Sequence, residues 1–106
     1  MQEQVKVQVC TNPLVLDFIS ERDISQIKLC VFFTKHNLEF SQCDLDRVGL
    51  VAEQIVCEVL EYRDIRQIFI STNRLTVVLK TGKIWETLPD QILRIIEKAI
   101  EEYELS

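Results

Sequence analysis

The sequence predicts an α+β fold: a two-layer sandwich, with a mainly antiparallel sheet of about five strands covered by two helices, in a single domain over residues 1–106. Three observations carry this expectation. Several short segments alternate apolar and polar residues with a period of two. Two longer segments space their apolar residues by three and four. The turns at Thr11 and after Ile70 are short enough for hairpins and too short for parallel crossovers.

The first two strands are read from Val5, Val7 and Val9 alternating with Lys6, Gln8 and Cys10, and from Leu14, Leu16 and Phe18 alternating with Val15, Asp17 and Ile19. Thr11-Asn12-Pro13 divides them. Pro13 has no backbone donor and holds Asn12 out of the helical region, so a turn belongs there. Cys10 stands beside this turn with no partner nearby, which makes the turn, and not the thiol, the informative feature. After the polar segment Ser20 to Gln26, Ile27, Leu29, Val31 and Phe33 mark a third strand whose other face carries Lys28, Cys30 and Phe32.

The period then changes. Leu45, Val48, Val51, Ala52, Ile55, Val56, Val59 and Leu60 form one apolar helical stripe, with Asp44 or Asp46 placed to cap its start. Ile65 to Ile70 and Leu75 to Leu79 read as two more strands joined by the hairpin turn Ser71-Thr72-Asn73-Arg74. A second turn at Thr81-Gly82-Lys83 leads to Trp85. Leu88, Ile92, Ile95, Ile96, Ala99, Ile100 and Tyr103 make a second helical stripe, with Thr87 and Asp90 spaced as a capping pair and Pro89 in the first turn.

Charge and composition restrict the function. With 17 acidic against 12 basic residues and a net charge of −5, the chain is repelled by a nucleic-acid backbone and by an anionic membrane surface. Arg74, Lys80 and Lys83, read as a cationic stretch around a turn, are too few to reverse this. The sequence has no basic leader followed by an apolar core and no apolar run of about 18 residues, so a soluble cytoplasmic protein is expected.

Catalytic constellations are scarce. Cys10, Cys30, Cys43 and Cys57 contain no C-x-x-C pair, the knuckle that fixes half of a structural zinc site, and they read as ordinary thiols. His36, the one histidine, lies in the polar stretch Thr34-Lys35-His36-Asn37 and reads as a solvated surface residue. Glu97, Glu101, Glu102 and Glu104 fall on the polar side of the last helix. Two glycines, Gly49 and Gly82, do not build a phosphate-cradling loop. Neither an enzyme nor a cofactor site is expected, and these five thiol and imidazole groups are the only metal-ligand candidates.

Several of these segments carry a resemblance. Thr11-Asn12-Pro13 with Leu16 and Phe18, Ala52 in the first helix, Ile65 and Ile68 leading into Ile68-Phe69-Ile70, then Leu75-Thr76-Val77-Val78, and finally Trp85-x-x-Leu88 with Ile92 and Ile96, follow one another in order. Together they resemble the N-terminal domain of Nfu/NifU-like iron-sulfur scaffold proteins, over most of the chain. The sequence departs from that pattern at Ser71, Arg74 and Pro89 and in the segment from Ser20 to Glu39.

The resemblance implies a small protein-interaction domain with an accessory role in iron-sulfur cluster assembly or delivery. In that family the cluster is held by a C-x-x-C motif in a separate C-terminal domain, which these residues do not contain. The implied partner is another protein, an iron-sulfur assembly component, with no nucleic acid and no membrane, and the chain itself is expected to be a monomer or a homodimer. Phe32, Phe40 and Trp85 are the candidate contact residues. Two other readings stay open: a thiol-based metal or redox protein whose cysteines are gathered by the fold or by a dimer, and a structural homodimer paired through exposed strand edges.

Overall fold

A computed structural model describes residues 5–26, 30–34 and 47–105. Strands β1 (Val5–Val9), β2 (Val15–Ser20), β3 (Val31–Phe33), β4 (Ile65–Ile70) and β5 (Arg74–Leu79) form one sheet in the order β1-β2-β5-β4-β3. Every neighbouring pair is antiparallel. Helix α1 (Leu50–Val59) lies between β3 and β4 in the chain, and α2 (Leu88–Leu105) follows β5. This is the α+β two-layer arrangement that the two periodicities predict.

Side-chain parity decides which face of the sheet is covered. Leu16 and Phe18 of β2, Leu75 and Val77 of β5 and Ile68 and Ile70 of β4 are buried together with Ile55, Val56 and Val59 of α1 and Ile92 and Ile96 of α2. Each large side chain so enclosed contributes about 2 kcal/mol through loss of apolar surface from water. Both helices therefore share one face and pack on each other. The opposite face of the sheet carries no helix among the described residues.

The two predicted hairpin turns are present. The Leu14 N–H bonds to Asn12 Oδ1 (2.9 Å) and the Val15 N–H to the Asn12 carbonyl (3.0 Å), so the Asn side chain mimics a backbone turn beside Pro13. Ser71 N–H bonds to the Arg74 carbonyl (2.9 Å), closing the β4–β5 hairpin. Strand β4 takes a register shift between Ile65 and Gln67, leaving Arg66 turned to solvent.

Two sequence expectations change. Gly49, at φ 97° and ψ 168°, a backbone state that a side chain disfavours, divides the predicted stripe: Arg47 and Val48 are helical before it, and α1 begins at Leu50 after it. No side chain caps α1; Asp44, Leu45 and Asp46 lie outside the described residues. Strand β3 covers Val31 to Phe33, whereas Ile27, Lys28 and Leu29 lie outside them too. The cationic stretch is also divided. Arg74 opens β5 and Lys80 follows its far end, roughly 20 Å apart at the rise of a strand.

Candidate interaction surface

The uncovered face of the sheet is ordered by the pairing register. Gln8 of β1 faces Asp17 of β2, Asp17 faces Thr76 of β5, Thr76 faces Phe69 of β4, and Phe69 faces Phe32 of β3. One row thus crosses all five strands, polar at the β1 side and aromatic at the β3 side. Val15 and Val78, also paired, add a half-buried apolar step beside it.

At the aromatic end, the Phe32 and Phe69 rings are 6.1 Å apart and tilted by 45°, a cross-strand pair within the favourable range for aromatic contact. Phe32 is 52 % exposed, so one large apolar ring stands in solvent on a sheet face. At the polar end Asp17 is only 9 % exposed. Its carboxylate accepts a short hydrogen bond from Thr76 Oγ1, lies 3.7 Å from Arg74 Nη1, and accepts from the Cys10 thiol at 3.6 Å. A nearly buried carboxylate is thereby matched on three sides.

That last contact corrects the expectation that Cys10 has no partner. The β1–β2 hairpin folds Cys10 back against Asp17, seven residues later in the chain. Burial and the Asp17 carboxylate both push the Cys10 thiol above its ordinary pKa, with Arg74 opposing them weakly. Burial and then Glu53, Glu61 and Glu58 raise Cys57 in α1 likewise. Both shifts run away from the thiolate form, opposite to the lowering that activates a nucleophilic cysteine.

Nor do the described cysteines converge. Cys10 and Cys30 belong to opposite edges of the sheet, four strand spacings or about 19 Å across it, and Cys57 lies in the helical layer. Among the described residues no three His, Cys, Asp or Glu side chains form a metal-binding group. The thiols described here do not fit an iron-sulfur cluster, which needs several thiolates at one point. His36, Phe40 and Cys43 lie outside the described residues.

Trp85 has a different place from Phe32. Its indole N–H donates to the Pro13 carbonyl (2.9 Å), and the half-buried ring packs against the core. With Tyr62, Ile84, Thr87 and Gln91 it borders a groove of about 310 Å³ at the start of α2. Gln91 N–H bonds to the Thr87 carbonyl (3.3 Å), so Thr87 stands at the helix start with Pro89 in the first turn. Lys83 is drawn to Asp64 (3.7 Å), away from Arg74, which faces Asp17.

Sequence reasoning placed Phe32 on the right face and missed its neighbour Phe69. It also missed the Asp17–Thr76–Arg74 group, since nothing local in the sequence signals the pairing of β2 with β5.

These features define a class of protein by shape: a one-sided α+β sheet domain with an aromatic-to-polar row on its open face. The same fold occurs in a NifU-like protein from Saccharomyces cerevisiae, solved by NMR, to which this chain is similar with a TM-score of 0.65 and 16 % identity over 89 % of this chain and 75 % of that one. A crystal structure of protein SAV1430 from Staphylococcus aureus is similar with a TM-score of 0.55, also at 16 % identity, over 92 % of this chain and 98 % of that one. No family model matches the sequence, and no curated protein does. The resemblance to the NifU-like N-terminal fold, read from Pro13, Phe18, Trp85 and Leu88, thus extends to the three-dimensional fold.

Proposed function

We propose that this chain is a non-catalytic protein-interaction domain with an accessory role in iron-sulfur cluster assembly or delivery, working in the cytoplasm by contact with other proteins. The observation that carries the reading is the fold shared with a NifU-like protein over 89 % of the chain. It is supported by the motif residues that serve the fold: Asn12 and Pro13 make the first turn, and Trp85 ties that turn to α2. A cluster would reach this domain as cargo of a partner, a reading supported by the separation of Cys10, Cys30 and Cys57 among the described residues. Among the described residues no helix is long and apolar enough to cross a membrane, in keeping with a soluble setting.

The exposed Phe32 ring with Phe69 beneath it is the proposed contact point. The test is a titration of the isotope-labelled chain with purified iron-sulfur scaffold and carrier proteins, followed by amide shifts. Shifts centred on β3 and β4, lost in Phe32→Ala with the fold intact, support the reading. Two outcomes count against it: no shift with any such protein, or stoichiometric iron or zinc in the chain itself after anaerobic purification.

A further inference from the structure

The first strand stands at one edge of the sheet with its outer backbone groups unpaired among the described residues. Proteins blunt such edges with proline, charged side chains, bulges, short strands or covering elements, and of these β1 has one lysine, Lys6, whose side chain lies on the open face and not among the valines. β1 has neither proline nor bulge, is five residues long, and leaves Val7 40 % and Val9 76 % exposed on the helix side of the sheet. Valines in these positions are an aggregation hazard unless something pairs with them.

We infer that β1 pairs with β1 of a second copy of this chain, antiparallel and centred on Val7, joining the two sheets into one. The argument rests on the symmetry of the strand. Val5-Lys6-Val7-Gln8-Val9 reads valine, polar, valine, polar, valine in either direction. An antiparallel pairing about Val7 sets Val7 against Val7, Val5 against Val9, and Lys6 against Gln8, with every side chain on its own face. A slip by one residue would send the valines to the wrong side.

The neighbouring rows fit this register. On the helix side Val7 already faces Phe18, and Val9 faces Leu16. The pairing therefore makes the row Phe18, Val7, Val7, Phe18, which links the two cores across the dyad. The exposed Val9 of each copy comes to lie beside the buried Val5 of the other. On the open face Gln8 faces Asp17. Lys6 of one copy enters the same row as Asp17 of the second, so opposite charges share a row and no two like charges are directly opposed.

This inference is independent of the iron-sulfur reading. A strip one strand long buries less than the ~1,200 Å² of a stable interface, so the dimer exchanges and its population rises with concentration.

Sedimentation velocity of the full chain from about 10 μM to about 1 mM, the range suited to a weak interface, tests it. A monomer–dimer equilibrium is expected. Val7→Lys, which sets two ammonium groups across the dyad and removes the Val7 pair, weakens it by about tenfold or more. Arg66→Ala, at an exposed position of β4 and three strands from β1, leaves it unchanged. Should Val7→Lys fail to fold, isotope-filtered NMR on mixed labelled and unlabelled chains takes its place, and contacts from Val7 to Val7 are expected. A monomer at the highest concentration overturns the inference, as does a dimer that survives folded Val7→Lys or whose contacts come from elsewhere.

Discussion

Trp85 donates its indole N–H to the carbonyl of Pro13, 72 residues earlier, at 2.9 Å. The first turn of the chain and the approach to its last helix are thus pinned together by one side chain that also packs on the core. Trp85→Phe keeps most of the packing and loses the hydrogen bond, and it is expected to cost about 1 kcal/mol. Trp85→Ala loses both and is expected to cost about 3 kcal/mol. Urea denaturation of the two variants separates the contributions.

Asp17 and Thr76 test the polar end of the open face. Asp17→Ala leaves Thr76 and Cys10 without their acceptor and Arg74 without its counter-charge, for an expected loss of about 2 kcal/mol. Thr76→Val loses less. In a double-mutant cycle the two changes are expected to be non-additive by about 1 kcal/mol, and strict additivity would show that the pair is uncoupled.

The two raised thiols predict a pH dependence. Folding favours protonated Cys10 and Cys57, so the unfolded chain releases those protons first as pH rises past the ordinary value of 9.0. The unfolded state then binds fewer protons than the native one, and stability falls from there up through the raised native pKa values. Below that window the contribution is fully present. A Cys10→Ser/Cys57→Ser double variant is expected to show a flatter decline above the ordinary thiol value of 9.0 in chemical denaturation.

Gly49 interrupts the first helical stripe at a φ that L side chains rarely adopt, and a Cβ there would meet the Gln26 side chain at 3.1 Å. Gly49→Ala is expected to destabilise the domain by about 1–3 kcal/mol. By contrast Gly82, also at positive φ, faces open space, and Gly82→Asn should come closer to neutral, since Asn tolerates that region. Thermal melts of both variants check the contrast.

Local signals were legible where a feature is decided by adjacent residues. Ile65 to Ile70 reads as a strand and is one at those limits, and Ser71 to Arg74 turns the chain as its composition suggests. The stripe across Val48, Val51 and Ala52 concealed the break at Gly49, because side-chain period does not report a backbone dihedral. Pairings between distant segments were not legible at all. Asp17 and Thr76 share a hydrogen bond across 59 residues, and only the placement of β2 against β5 creates it. The same holds for Phe69: its place beneath Phe32 follows from register, not from either residue's neighbours.

The seam between β2 and β5 also governs how the chain folds. The β1–β2 and β4–β5 hairpins are local and can close early, whereas their union must bring together residues about 60 positions apart. That step pays the largest loop-closure entropy in the sheet before the central rows of the core can form. The seam is therefore expected to form late and to limit the folding rate, since neither hairpin alone buries Phe18 or Leu75 against the other, and φ-values near zero at both residues would show it. A chain cut between α1 and β4 would yield two fragments that gain structure only by associating, each acting as the other's template.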